Sequence, residues 1–375
     1  MDIQAWRVLF PVTKEKVFLD HAAVSPISQP VYEAIRAYLD ARLKYGTSPY
    51  GDEESPTEVV RARAARLIGA RPEEIAITRN TSHGIMLVAD GLDWRPGDNV
   101  VCAETEFPAT VYPWRSLAPR GVEVRIVPAR DHRVPLDGLR EAINARTRVV
   151  SISFVEFLTG YRNDIAAIAQ MCREKGALLC VDAIQGLGAI ELDVEAMGID
   201  FLSAGAFKWL LGPPGAAIFY CRAERLDDLG HAVLGFGGTD HEPGDYFSFD
   251  LPWKKDASRF EEGVLSHTSV VGFAASLKLL LDIGISRIQA RVLELTDYLL
   301  ERLRGRRVEI ITPHACPEER SGIVSFIPKG QDPAALAERM AEADIVISHR
   351  GSAIRVSPHF YNTTDEIDRF LEFVP

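Results

Sequence analysis

A lysine and an aspartate mark where this sequence is expected to do covalent chemistry. Lys208 stands in the run Asp200-Phe-Leu-Ser-Ala-Gly-Ala-Phe-Lys-Trp-Leu-Leu-Gly-Pro-Pro-Gly215, at the end of an apolar, small-residue strand and ahead of a glycine-proline turn. An amine among apolar neighbours loses the hydration of its charged form, so its pKa falls and the neutral amine becomes a nucleophile toward an aldehyde. Lys208 is therefore a Schiff-base candidate, to be weighed against a strand-end lysine that keeps its head in water. Asp182 ends the apolar strand Ala177-Leu-Leu-Cys-Val181. That places a carboxylate at the carboxyl edge of a parallel sheet, where such folds bind ligands, although an aspartate there also serves as a turn or helix cap.

Three further groups sit at comparable places. Thr78-Arg-Asn-Thr-Ser-His-Gly84 follows a strand and opens the apolar helix beginning Ile85-Met-Leu-Val-Ala. Hydroxyls of Thr81 and Ser82 thus meet free N–H groups at a helix N-terminus, which makes an anion cup, or simply a cap. Glu104-Thr-Glu-Phe-Pro108 follows another strand and offers the Phe107 ring at the sheet edge. Gly186-Leu-Gly188 imitates a dinucleotide loop, but Glu191 stands where the third glycine belongs, so the fingerprint fails.

The elements that must position these residues are readable from the hydrophobic pattern. From Glu15 to about Tyr220, β-rich apolar runs at 74–78, 99–103, 122–128, 148–154, 177–182, 200–204 and 216–221 alternate with helical stretches. This alternation predicts an α/β fold: a large domain with a mostly parallel sheet flanked by helices. Helix 55–69 begins with Ser55-Pro-Thr-Glu58, an N-cap, a proline at the first position and a capping glutamate, and stops at Gly69. Residues 234–262 are rich in glycine, proline, acidic and aromatic residues and read as a long irregular connection. Helices at 267–282 and 286–304 follow, then strands at 308–312, 322–327, 345–348 and 354–357 with helices at 333–343 and 364–373, a smaller α+β domain. The expected division is a cofactor-binding domain over 15–258 and a C-terminal domain over 259–375 that includes 1–14.

Composition narrows the function classes. The chain has 375 residues, 47% hydrophobic and 25% charged, enough for two domains with substantial cores. Its net charge of −11 disfavours nucleic acid and anionic lipid surfaces as partners. No stretch reaches the roughly 18 apolar residues of a membrane span, and the N-terminus lacks a basic region leading into an apolar run, so a cytoplasmic location is expected. The five cysteines are scattered without a C-x-x-C pair, and the nine histidines show no ligand spacing, so neither disulfides nor a metal site is expected.

The ordered set Phe18-Leu-Asp-His-Ala-Ala-Val-Ser-Pro26, Thr78-Arg-Asn-Thr-Ser82, Val181-Asp-Ala-Ile-Gln185, Phe207-Lys-Trp-Leu-Leu-Gly-Pro213, Arg259-Phe-Glu-Glu-Gly263 and Ile354-Arg-Val-Ser-Pro-His-Phe-Tyr-Asn362 resembles the class V aminotransferases. These fold-type-I pyridoxal phosphate enzymes include cysteine desulfurases, selenocysteine lyases and isopenicillin N epimerase-like proteins. The resemblance spans nearly the whole chain. It implies pyridoxal 5'-phosphate as cofactor, with Lys208 as the Schiff-base lysine and proton carrier. Asp182 would pair with the pyridinium nitrogen, Gln185 would donate to the phenolic oxygen, Phe107 would stack on the ring, and Thr81 and Ser82 would hold the phosphate. Arg355 would bind the substrate α-carboxylate, its planar fork matching two carboxylate oxygens. It also implies a homodimer, with the loop from Tyr246 to Trp253 reaching the partner's site.

The sequence departs from the family pattern at defined points. Two phosphate donors near the lysine are replaced by Gly205 and Phe207, and a third, from the partner subunit, by Val264. Ser203, Ser266, His267 and Thr268 are the candidate substitutes. Phe157 and Glu156 stand ahead of the Thr159-Gly160 turn where an asparagine is common, and a buried glutamate there needs a partner. The segment Val346-Ile-Ser-His-Arg-Gly-Ser-Ala-Ile-Arg355 holds no cysteine, and the nearest, Cys316, lies elsewhere, which disfavours sulfur transfer through a persulfide. The expected activity is an aminotransferase acting on an amino acid, with a C–S lyase or an epimerase on the same scaffold as alternatives. A catalytically silent binding protein is the third reading. The side-chain pocket is expected to involve His21, Tyr50, Glu156 and the Gly237-Gly-Thr-Asp240 loop.

Overall fold

Unbroken apolar runs, rather than alternating ones, belong to strands covered on both faces. The computed structural model describes residues 3–46, 55–230, 232, 234–241 and 247–375, and it gathers seven such runs into one sheet. In spatial order these are Ile75–Thr78, Ala217–Cys221, Phe201–Gly205, Leu178–Asp182, Thr147–Ser153, Asn99–Ala103 and Glu123–Val127. Ala217–Cys221 runs antiparallel to both neighbours and the other pairings are parallel. For these seven strands each boundary expected from the sequence lies within one residue of the observed one.

The two faces of this sheet bury separate clusters, because successive side chains point to opposite sides. Val150, Ile152, Leu179, Val181, Leu202 and Ala204 pack with the helices Pro56–Ile68, Ile165–Lys175 and His267–Ile283. Val149, Leu178, Cys180 and Phe201 face the helix Thr81–Gly91 and Trp114 of the helix Pro108–Arg115. Asp182 shares the parity of Leu178 and Cys180, so it emerges at the carboxyl edge on the side of these last two helices. Ser203 and Gly205 share the parity of Phe201 and face the same way.

Helix Pro56–Ile68 begins with its proline and ends at Gly69, whose φ of +69° is a left-handed C-cap. The expected capping box does not form. Ser55 makes no side-chain capping bond, and Glu58 is drawn instead to Arg61 at 3.1 Å, an arginine buried beside Glu261 at 2.9 Å. The irregular stretch 234–262 contains, among its described residues, only the short 3-10 turns Phe236–Gly238 and Ala257–Phe260 and a bridge between Thr239 and Trp253.

A second, antiparallel sheet has the order Ser348–Arg350, Ala353–Val356, Val324–Pro328 and Val308–Ile310. Leu295, Leu299, Leu336, Met340, Ile367 and Phe370 from its flanking helices cover it. The single strand expected at 345–348 is divided: Ile345–Val346 pairs in parallel with Val17–Phe18, and Ser348 starts a strand of the antiparallel sheet. Val17 and Leu19 accordingly enter this second core, while helix His267–Ile283 belongs to the first. We propose that the two units are delimited by these clusters, with residues 17–19 in the C-terminal unit and residues 267–283 in the large one. No single helix among the described residues is long and apolar enough to cross a membrane.

Candidate active site

A cavity of about 350 Å³ opens at the carboxyl edge of the large sheet, lined by residues from both units, including Thr81, Ser82, Phe107, Asp182, Gln185, Lys208 and Arg355. Asp182 is buried, and both carboxylate oxygens are held: Oδ1 accepts the Ile184 N–H at 2.9 Å and Oδ2 the Thr110 hydroxyl at 3.1 Å. Burial raises its pKa, while the Ile184 N–H, the Lys208 charge and the Thr110 hydroxyl oppose the rise. The Lys208 amine is brought down to about 8, chiefly by burial, with Asp182 opposing and Arg355 and Arg350 adding to the fall. Its Nζ lies 5.8 Å from the ring centroids of both Phe107 and Phe207. The Lys208 amine is thus set near two aromatic rings and one carboxylate.

The neighbourhood of Lys208 is fixed from behind. Ser25 donates its hydroxyl to the Lys208 carbonyl at 2.6 Å and its N–H to the Phe207 carbonyl at 2.9 Å. Gln185 donates to the Ala22 carbonyl and accepts from the Trp209 indole, both at 3.1 Å, which sets its amide orientation at the cavity. The close passage of this turn under Trp209 depends on Gly188, with φ +102°, where a Cβ would lie 2.4 Å from the Trp209 carbonyl oxygen. The glycines that imitate a dinucleotide loop therefore serve packing.

At the opposite side the N-terminus of helix Thr81–Gly91 faces the cavity through Asn80, Thr81 and Ser82. Asn80 caps it by accepting from His83 N–H at 2.9 Å. Thr81 Oγ1 accepts the Gly205 N–H at 3.0 Å, which leaves the Thr81 hydroxyl proton to be donated elsewhere. Together these form an anion cup of helix N–H groups and hydroxyls. The departures at Gly205 and Phe207 are one feature: a Cβ at Gly205 would meet the Phe207 ring at 3.1 Å and Ile184 Cδ1 at 3.2 Å. Ser203 is buried under this helix, donating to the Ile218 carbonyl at 3.4 Å and packed where a Cβ on Gly84 would fall. Val264 is 96% exposed, and Ser266 caps helix His267–Ile283.

Arg355 is 1% exposed and brings its guanidinium to the cavity wall from the C-terminal sheet. Nη1 donates to the Phe157 carbonyl at 2.9 Å and Nη2 to Ser348 at 3.4 Å, with Asp20 at 3.5 Å. Burial lowers its pKa to about 10, with Asp20 opposing. Phe157 stands edge-on to Phe107, centroids 5.3 Å apart, and completes an apolar wall.

His21 and Glu156 are not among the residues lining this cavity. His21 is fully buried, and both ring nitrogens are engaged, Nδ1 with the Ser357 carbonyl at 2.8 Å and Nε2 with the Tyr361 hydroxyl at 2.6 Å. Its place is in the packing of the two units. Glu156 lies behind Phe157 with Oε1 accepting from Asn163 at 2.7 Å. Burial pushes its pKa to about 7, and nearby Asp182 contributes. Glu106, held by the N–H and hydroxyl of Ser153 at 2.7 and 2.6 Å, is a further buried acid. Tyr50 and Tyr246 lie outside the described residues. Sequence reading did not find Thr110, Ser25 or Arg350, which meet the site through tertiary packing. Glu106, Asn80 and Trp209 were also missed but carried a local signal, as neighbours of Phe107, Thr81 and Lys208.

A mixed seven-stranded sheet with a lysine and an aspartate at its carboxyl edge, next to a second antiparallel sheet bearing an arginine, is the scaffold of fold-type-I pyridoxal phosphate enzymes. The Aminotransferase class-V profile matches residues 17–370, and the chain belongs to that family. It is 32% identical over 369 residues to the uncharacterized aminotransferase YcbU of Bacillus subtilis, covering 98% of this chain and 96% of the relative. A probable cysteine desulfurase of Methanothermobacter thermautotrophicus is 31% identical, covering 95% and 93%. Among solved structures, the apo cysteine desulfurase of Thermococcus onnurineus NA1 superposes with a TM-score of 0.88 at 26% identity, covering 98% and 95%. A C-DES mutant with glycine covalently linked to its PLP cofactor superposes at 0.89 and 22% identity, covering 98% of each chain, a likeness of fold.

Proposed function

We propose that this chain is a pyridoxal phosphate-dependent enzyme that transaminates an amino acid. The observation carrying this reading is the placement of a Lys208 amine, with its pKa near 8, and a doubly hydrogen-bonded Asp182 carboxylate in one cavity beside an anion cup. The residues present fit the cofactor. Asp182 is a buried carboxylate that calls for a cation, and a protonated ring nitrogen is one; Thr81, Ser82 and the helix N-terminus suit a phosphate; Phe107 offers a ring face; Gln185 suits the phenolic oxygen. When bound, the cofactor supplies an electron sink for the electrons released when a bond at the substrate α-carbon breaks.

The remaining work falls to the protein. Lys208 is close enough to neutrality at physiological pH to take the α-proton at Nζ and return it. Thr110 and the Ile184 N–H hold Asp182 in the orientation its charge requires. Arg355 seats the α-carboxylate and thereby decides which α-carbon bond faces Lys208. Phe107, Phe157 and Phe207 exclude water from the amine.

Transamination is favoured over persulfide chemistry because, among the described residues, no cysteine lines the cavity. Cys102, Cys172, Cys180 and Cys221 are buried elsewhere, and Cys316 is exposed away from it. Elimination from the β-carbon is a second reading, favoured by the desulfurase names of relatives. Single-turnover spectroscopy separates the two. A transaminase loses the visible absorbance of its cofactor on addition of an amino donor alone and regains it with a keto acid. Release of sulfide or ammonia without that loss rejects transamination. We also read the exposed Leu43, Phe249, Trp253 and Val264 as a surface covered by a second copy of the chain. Light scattering of a fully active monomer rejects that reading.

A further inference from the structure

The cavity contains more positive charge than one α-carboxylate requires. Arg350 lines it together with Arg355, and it acts electrostatically on Lys208, Arg355 and Asp20 alike. Arg355 is offset by Asp20 and engaged by the Phe157 carbonyl and Ser348. The exposed Arg350 donates only to the carbonyl of its neighbour His349, at 3.1 Å. Among the described residues no carboxylate pairs with it.

The two arginines are held in a fixed relation. They lie on adjacent antiparallel strands, with Ser348 opposite Arg355 and Arg350 opposite Ala353. Residues two apart on a strand share a face, so Arg350 and Arg355 project from one face of the hairpin at diagonal positions, roughly 7–8 Å apart at the backbone. Only Gly351 and Ser352 separate the strands, so the backbone at Arg350 is fixed relative to that at Arg355. The lining of the same cavity includes the apolar Ala22, Ala23, Val24, Phe107 and Phe157. One guanidinium is buried in the cavity wall and a second is exposed at it, in a cavity with a largely apolar lining.

We propose that the substrate is an amino acid whose side chain ends in a carboxylate, with Arg355 taking the α-carboxylate and Arg350 the distal one. This rests on the amino-acid reading above and adds the side-chain class to it. Because Arg350 is solvent-exposed, its contribution is moderate and screened by salt.

The test compares L-glutamate with L-glutamine, and L-aspartate with L-asparagine, as amino donors to the holoenzyme in single-turnover spectroscopy. The expected result is a ratio of kcat/KM favouring each acid over its amide by about tenfold or more, as for a charge-assisted hydrogen bond. That ratio falls at least fivefold in Arg350→Gln, recovers in part in Arg350→Lys, and shrinks as salt rises. As a readout independent of turnover, isothermal titration with the unreactive dicarboxylate glutarate shows binding to the native holoenzyme that Arg350→Gln weakens. Equal use of acids and amides, or a ratio unchanged in Arg350→Gln, overturns this inference alone. A cofactor spectrum that no amino acid of either kind perturbs overturns the amino-acid reading itself, and this inference with it.

Discussion

The floor of the cavity and its mouth are built on opposite plans. At the floor the side chain that could reorient is held at both ends: Asp182 by Ile184 and Thr110, Gln185 by Ala22 and Trp209. At the mouth, Phe107 and Arg350 are exposed. Under the proposed function the floor would carry chemistry that tolerates little change in geometry, whereas the mouth would select among molecules. The contrast accounts for why the cofactor chemistry is better defined by the chain than the substrate.

The comparison is broken most severely at Lys208. Lys208→Ala removes the nucleophile and the proton carrier together, so kcat is expected to fall by at least about 10³-fold, with loss of the visible absorbance of the holoenzyme. Retention of wild-type turnover would refute the assignment of the floor. Next in size is Arg355→Met, which leaves buried Asp20 with only Ser348 and the more distant Arg350 to offset its charge and is expected to cost about 3 kcal/mol in stability. Asp20→Asn in the same chain restores most of that in urea titrations without restoring a low KM, separating the arginine's structural role from its binding role.

The third effect is one of pH. Lys208 has its pKa lowered to about 8 by burial, so its neutral fraction rises with pH and levels off above 8. Cofactor-free enzyme is expected to react with pyridoxal phosphate about tenfold more slowly for each unit below pH 8. A midpoint near the ordinary lysine value of 10.5 in stopped-flow absorbance would show that the amine is hydrated. The smallest effect is at the strand end ahead of Lys208. Gly205→Ser overpacks the Phe207 ring and is expected to cost about 1 kcal/mol, a cost that Phe207→His in the same chain relieves while tightening cofactor retention several-fold in dialysis. Additive behaviour of the two substitutions would mean that the positions are independent.

The same division governed what the sequence could convey. The large sheet was legible because continuous apolar runs have few other folded destinations, and Asp182, Gln185, Lys208, Thr81, Ser82, Phe107 and Arg355 all line one cavity. Ser203 was expected as a phosphate ligand from its nearness to Lys208, but it is covered by helix Thr81–Gly91, packed against Gly84. His21 lies next to cavity residues in sequence and yet points into the packing between units. Thr110 and Arg350 had no local signal. The first reaches Asp182 across 72 residues, and the second is placed by a hairpin turn whose significance depends on Arg355 opposite it.

The segment from Val17 to Ser25 has a consequence for how the protein comes into being. It pairs with Ile345–Val346 and Ser357 at one end and holds Gln185, Phe207 and Lys208 at the other. The wall made by Ala22 to Val24 cannot close until residues more than 300 positions later have left the ribosome. Such distant pairings are slow to form. The Lys208 amine therefore stays open to solvent on this side until the chain is almost finished.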